Sequence, residues 1–275
     1  MSQRIEIIRS VYESYDEDRR LVKSQHGRLE YLTTMHYIHR YAGENAKIIE
    51  IGAGTGRYSV ALAKEGFDVT AIELVQHNLE ILREHGKGLD NLKSFRGDAL
   101  DLAAFGDNSF DVTLVFGPMY HLYSSDDQHK AIDEAIRITR PGGIIMFAFL
   151  SVYAIILSNY LYGDLRGGLL HNFDIDRDPD RRYIVKHTED QIFTGFDIAE
   201  FEGLFAHKPV SQLHLVAADS SLEFGELLTS RELEESSFAA YADYHLATCE
   251  IRELLGNSGH LLYICRKESE QNEEV

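Results

Sequence analysis

Apolar positions first recur along the chain at helical spacing, with Ile5, Ile8, Val11 and Tyr12 in one stretch and Leu29, Leu32, Tyr37 and Ile38 in a second, so residues 1–42 read as two amphipathic helices. From Lys47 the period changes. Short continuous apolar runs alternate with helical segments, the pattern of a largely parallel sheet buried under helices on both faces. The runs predict seven strands, Lys47–Ile51, Asp68–Ile72, Lys93–Arg96, Phe110–Phe116, Gly143–Leu150, Ser211–Ala217 and Leu261–Arg266. Helices at Arg57–Lys64, Gln76–His85 and Asp126–Thr139 fall between the first five strands, giving an α/β fold.

After the fifth strand the alternation lapses. Ser151 to Phe196 combines an aromatic helix, Tyr153 to Tyr162, with a polar loop carrying HNFDIDRDPDRR. Insertions of that length in compact domains are often functional lids. A second aromatic stretch, Phe238 to Leu255, separates the last two strands and places Tyr241, Tyr244 and His245 at helical spacing, where ordinary core packing is an equal reading.

Composition narrows the function. With 275 residues, 44% of them hydrophobic, the chain can bury one substantial core. Lys and Arg total 27 against 45 Asp and Glu, a formal charge of −18, and the longest basic clusters are pairs such as Arg19-Arg20 and Arg181-Arg182. Such a surface repels a phosphate backbone, so no nucleic-acid partner is expected. Cys249 and Cys265 stand far apart, indicating neither a disulfide framework nor a CxxC metal site, and a reducing, cytoplasmic setting fits. No apolar run reaches the roughly 18 to 20 residues of a spanning helix, and MSQRIEIIRS lacks the apolar block of a signal peptide, so neither membrane association nor export is expected.

The strongest local signal is Ile48-Ile49-Glu50-Ile51-Gly52-Ala53-Gly54-Thr55-Gly56-Arg57, where a buried strand breaks into a glycine turn and opens a helix. Glycines let the backbone bend tightly and approach a ligand. Alone they would also suit a nicotinamide enzyme, a flavoprotein or a structural turn. Their spacing, however, is GxGxG, Glu50 stands two positions before the first glycine, and Glu73 ends the second strand 21 positions after Gly52. A carboxylate there can accept hydrogen bonds from both ribose hydroxyls, which implies a nucleoside cofactor.

From about Lys47 through Leu150 the chain resembles the class I S-adenosylmethionine-dependent methyltransferases. EIGAGTG is similar to that family's first motif, Gly97-Asp98-Ala99 to its adenine-binding segment, Ser109 to Val115 to its fourth strand, and Arg140-Pro141-Gly142-Gly143 to the turn before its fifth. The resemblance implies a seven-stranded, mostly parallel Rossmann-like sheet, with residues 1–42 as a helical lid and 43–150 as the S-adenosylmethionine-binding core. Residues 151–207 would be an insertion capping the substrate, 208–267 the remaining core with a helical excursion, and 268–275 a frayed tail. It also implies that Glu50, Gly52, Ala53, Gly54, Gly56 and Phe116 surround the methionine end of the cofactor. Glu73 and Leu74 would lie at the ribose, and Asp98 with the Ala99 N–H at the adenine. The plain structural alternative is that Glu50 and Asp98 cap neighbouring turns.

The acceptor should lie just after the fourth strand, at Phe116-Gly117-Pro118-Met119-Tyr120-His121-Leu122-Tyr123. Family members that methylate bases or glutamine often carry Asn or Asp followed by Pro-Pro-aromatic; here Gly117 and Met119 depart from that pattern, and the segment resembles small-molecule members instead. His121 is the best-placed general base, with a cofactor-binding or helix-capping histidine as the alternative. Tyr120 can pack its ring face on the cationic methyl donor. Arg28 is assigned to the cofactor carboxylate, although a solvated helix face explains it as well. Tyr123, Tyr160 and His171, with Tyr162, Phe173 and Phe193, are candidates for the acceptor pocket, and core packing is their alternative. His171, Asp174 and Asp176 match no closed metal-ligand set, so no metal is expected. The expected activity is methyl transfer to O, N or C of a small molecule, the alternatives being a cofactor-binding regulatory protein, a protein or tRNA methyltransferase, and a nicotinamide oxidoreductase.

Overall fold

A computed structural model describes residues 3–13, 17–157, 174–177, 183–186, 192–229 and 231–269. Its centre is a sheet of seven strands in the order β3-β2-β1-β4-β5-β9-β8. The strands are β1 (Lys47–Ile51), β2 (Asp68–Glu73), β3 (Leu92–Arg96), β4 (Phe110–Val115), β5 (Thr139–Leu150), β8 (Val210–Ala217) and β9 (His260–Lys267). From β3 to β5 all neighbours run parallel; β9 is antiparallel to both β5 and β8. In β1 and β4 successive residues are buried, Ile48, Ile49, Glu50 and Ile51 in the one and Val112, Thr113, Leu114 and Val115 in the other, so both sheet faces are covered there.

Helices α3 (Arg57–Lys64) and α4 (Gln76–His85) pack on β2 and β3, and α5 (Ser125–Ile138) packs on β4 and β5. The expected helix boundaries agree to within a residue. α5 stops at Ile138 because Pro141 forces Arg140 into extended backbone, and Thr139 already pairs with Phe110 in the sheet. The strand therefore starts four residues earlier than the apolar run, which is preceded by the exposed Arg140 and Pro141.

At the N-terminus, α1 (Gln3–Tyr12) leads through a short turn at Glu17–Arg19 into α2 (Gln25–Tyr41). Ser24 caps α2 by accepting from the Gly27 N–H, and the Glu226 carboxylate accepts from Gln25 N at 2.7 Å and His26 N at 3.2 Å. A negative charge suits that helix end and ties α2 to α8 (Leu222–Thr229). Leu29 of α2 is sealed beneath Leu222 and by Phe238 and Ala242 of α9 (Glu235–Thr248), which is followed by α10 (Arg252–Leu255).

The segment read as aromatic helix and polar loop differs in part. Residues 152–157 are helical (α6), but β6 (Asp174–Arg177) and β7 (Tyr183–Lys186) form an antiparallel pair within the HNFDIDRDPDRR region and after it. Isoleucine and valine at 175, 184 and 185 favour extended backbone, a signal masked by the surrounding charges. The chain returns through Phe196, which pairs with Ser151, into α7 (Ile198–Gly203), capped by Asp197.

Beneath α7 an aromatic block joins the two halves of the sheet. Phe201 is fully buried and stacks on Phe149 at 3.8 Å between ring centroids, with Phe196, Phe205 and Tyr263 around it. Replacing it by alanine would remove those contacts and leave a cavity, so Phe201→Ala is expected to lose about 3 to 5 kcal/mol in denaturant unfolding and Phe201→Leu much less. A loss below about 1 kcal/mol for the alanine variant would show that α7 collapses onto the sheet without it.

Candidate active site

The order of strands reverses between β1 and β4, and a cavity opens there beyond their carboxyl ends. It is open to solvent, and the space within it and its mouth together comes to about 1160 Å³.

The first wall is the glycine turn. Gly52 adopts a φ of +82°, and a Cβ on it would lie 2.5 Å from the Phe116 carbonyl oxygen and 2.6 Å from Pro118 Cδ. Only glycine permits that approach of the β1 exit to the β4 exit. Gly56, with a φ of +88°, does not line the cavity; its Cβ would strike Leu82 Cγ at 2.7 Å, so this glycine serves the packing of α3 on α4. Gly52, Ala53 and Gly54 do line it.

Glu73 is buried, and its orientation is fixed: Gly54 N–H donates to Oε2 at 2.7 Å and Val75 N–H to Oε1 at 2.8 Å. Burial nevertheless pushes its carboxyl up to about 7. A carboxylate has about four acceptor sites, so these two N–H groups leave it able to accept from further donors. Asn78, which sequence reasoning missed, also hydrogen-bonds Glu73, while its Oδ1 is buried on the cavity wall without a partner. Its signal was its place in the first turn of α4, three residues past Val75 on the face turned to the loop.

Glu50 and Asp98 line the cavity and also fulfil their structural alternative. Glu50 accepts from the Ser59 N–H at 2.9 Å and from the Ser59 hydroxyl, anchoring α3, whose left-handed N-cap Gly56 offers no side chain. Burial raises its carboxyl to about 8. Asp98 accepts from Leu100 N–H at 3.1 Å and is ion-paired with Arg4 of α1. Leu74, Ala99 and Phe116 complete this side.

The opposite wall is the turn Pro118–His121. Tyr120 and His121 both face the cavity. His121 is buried, with Nδ1 2.6 Å from the Ile192 carbonyl oxygen and Nε2 3.1 Å from the Tyr12 hydroxyl. Phe193 from the returning insertion tilts against both Tyr120 and His121, and Thr194 N–H donates to the Tyr120 carbonyl at 2.8 Å. Tyr123 is not in the lining, and burial raises its phenol to about 12. Tyr160, His171, Tyr162 and Phe173 lie outside the described residues.

Arg28 does not reach the cavity. Its guanidinium forks onto Glu235 at 2.6 and 3.1 Å and lies 4.4 Å over the Phe238 ring, because α9 covers that face of α2. Arg4, Arg20 and Arg57 do line the cavity, and Arg20 is gripped by Glu17 and, through two bonds of 2.8 and 3.1 Å, by Glu30. Beside them, His260 at the start of β9 donates from Nδ1 to Asp219 at 2.7 Å and lies 3.8 Å from Glu30. Glu30, Asp219 and His260 offer metal-ligand atoms within 4.8 Å of one another. Their chemistry fits a proton better: Arg20 already neutralises Glu30, the Nδ1–Asp219 gap is a hydrogen bond's, and Asp219 also accepts from Ser258 Oγ and Gly259 N–H.

Residues 49–147 match a family model described as a methyltransferase domain. A demethylmenaquinone methyltransferase of Clavibacter sepedonicus is 34% identical over 142 residues, 51% of this chain and 55% of that protein. The chain spans about half the length of the curated relatives it matches. A Pyrococcus horikoshii structure aligns over 94% of this chain and 99% of its own at 15% identity, with a TM-score of 0.60. An S-adenosylmethionine-dependent methyltransferase of Thermotoga maritima, described as a possible histamine N-methyltransferase, aligns over 96% and 100% at 18% identity, with a TM-score of 0.57. These two show the fold, and with the matched domain they bear out the resemblance to class I S-adenosylmethionine-dependent methyltransferases drawn from the motifs.

The charged layer at His260 has a pH signature. Burial alone would lower the imidazole, but Glu30 and Asp219 outweigh it and Arg20 and hold it up at about 9. A histidine raised in the folded state contributes stability that is complete below the ordinary value near 6.5 and lost as pH rises through about 9. Wild-type melting temperature is expected to fall across that window more steeply than that of His260→Gln, and parallel curves would reject a protonated His260.

Proposed function

We propose that this chain transfers the methyl group of S-adenosylmethionine to a small-molecule acceptor and releases S-adenosylhomocysteine. The reading rests on the shared cavity, in which Gly52, Gly54, Glu73 and Asp98 form one wall and Tyr120 and His121 the other. When bound, the cofactor supplies a methyl group made electrophilic by a sulfonium sulfur. Gly52, Ala53 and Gly54 would hold its methionine part, Glu73 and Asn78 its ribose, and Asp98 with the Ala99 N–H its adenine. The fit is supported by the unpartnered Asn78 Oδ1 beside the two-point-anchored Glu73, an acceptor placed for a ligand hydroxyl.

For an in-line displacement the protein supplies alignment and water exclusion, which can lower the barrier by up to roughly 7 to 11 kcal/mol. Ile8, Phe116, Ala148 and Leu262 furnish apolar wall for that purpose. His121, held in orientation by the Ile192 carbonyl, acts as the general base of the site. The Tyr120 ring offers its face to the donor's positive charge. A small acceptor agrees with the net charge of −18, which disfavours nucleic acid, and with the demethylmenaquinone named for the Clavibacter relative.

Calorimetric titration with S-adenosylhomocysteine, with NADH as control, is expected to give micromolar binding of the first alone; binding of NADH alone, or of neither by folded protein, overturns the reading. Glu73→Ala removes the charged acceptor of the ribose and is expected to weaken S-adenosylhomocysteine by roughly 1.5 to 3 kcal/mol, about ten- to a hundredfold. Unchanged affinity in that variant would take the ribose away from Glu73.

A further inference from the structure

We infer that Tyr12 is a second catalytic side chain, the phenol through which the acceptor's proton reaches His121. The inference rests on the methyl-transfer reading and names the acid–base pair of that same site.

The tautomer of His121 follows from its partners. A backbone carbonyl only accepts, so the Nδ1 facing the Ile192 oxygen at 2.6 Å carries the ring hydrogen. In the neutral imidazole that leaves a lone pair on Nε2, to which the Tyr12 hydroxyl 3.1 Å away donates. The two rings meet edge to face, with centroids 5.6 Å apart and planes at 87°. Both residues line the cavity, where Arg4, Ile8 and Tyr12 recur every fourth residue along one face of α1. The ion pair of Arg4 with Asp98 secures the other end of that helix. The sequence had offered Tyr12 only as part of an apolar helical stripe.

Burial raises the Tyr12 phenol well above its ordinary value, reinforced by Tyr120, Glu17 and Glu73 and opposed by Arg20. It thus resists ionisation on its own and passes a proton only as it receives another. The step balances as follows. The acceptor's O–H or N–H bond breaks and its proton moves to Tyr12 Oη, while the proton of Tyr12 moves to His121 Nε2. The electron pair left on the acceptor atom forms the bond to the methyl carbon, and the carbon–sulfur pair remains on sulfur. The positive charge lost at sulfur reappears on His121, whose Nδ1–H still faces the Ile192 carbonyl. An acceptor carrying an exchangeable O–H or N–H hydrogen is the class this arrangement serves.

Tyr12→Phe keeps the ring and removes the hydroxyl. With nitrogen-15-labelled histidine, wild-type His121 is expected to show a protonated Nδ1 and an unprotonated, hydrogen-bonded Nε2, and Tyr12→Phe to move the Nε2 resonance and raise the pH at which His121 titrates. Affinity for S-adenosylhomocysteine should stay within about twofold, since Tyr12 contributes no assigned cofactor contact. With labelled S-adenosylmethionine, and 1,4-naphthohydroquinone and histamine as probe acceptors, kcat should fall on the order of a hundredfold at unchanged KM, its ascending pH limb moving upward. A protonated Nε2 in the wild type, an unmoved resonance in Tyr12→Phe, or wild-type turnover by that variant would overturn the proposal. The nitrogen-15 measurement decides even where neither probe is methylated, and absent S-adenosylhomocysteine binding would count against the methyl-transfer reading, not against the pair.

Discussion

Gly52 stands so close to the exit of β4 that one added carbon would overlap the Phe116 carbonyl, and the edge of the sheet is organised around that approach. Because the turn after β1 can lie flat against the turn after β4, the Gly54 N–H reaches Glu73 at the end of β2, and Tyr120 and His121 come to rest on the same cavity. A wider separation would leave the carboxylate and the imidazole facing different spaces. The parallel strands supply the directions; the missing side chain supplies the distance.

Within that space, burial raises both carboxyls, Glu73 to about 7 against the Val75 and Gly54 N–H groups and Asn78, and Glu50 to about 8 against the Ser59 N–H and hydroxyl. Both line the cavity, and Glu50 also anchors α3 through Ser59. At the far end, Arg20 lies between Glu17 and Glu30, and His260 between Glu30 and Asp219, so each cation there is flanked by carboxylates.

The parts legible in sequence were those written in consecutive residues. Strands such as Lys47–Ile51 and helices such as Gln76–His85 follow from apolar period over a few positions, and the glycine turn with Glu73 follows from spacing along one βαβ unit. What escaped depends on pairs made across the chain. His121 was visible beside its motif, but the Tyr12 hydroxyl that meets it comes from 109 residues away and looked like an apolar stripe position. Arg28 was assigned to the cofactor carboxylate from its place on the N-terminal helices, but α9 covers it, while Arg20 lines the cavity. Asp219 and His260, 41 residues apart, announce themselves by no motif, because their meeting depends on β9 running backwards.

That reversed strand has a consequence for how the molecule is made. β9 slots between β5 and β8, pairing Ile144 with Arg266 and Val210 with Lys267. During synthesis both neighbours emerge before the strand that joins them, and each must present an unpaired edge until residues 260–267 arrive. Sheet closure is therefore among the latest and least local of folding events, slowed by the loop that must be drawn in. His260 enters the cavity wall only at that moment, so a nascent chain can hold a finished glycine turn while its charged far wall still lacks the imidazole.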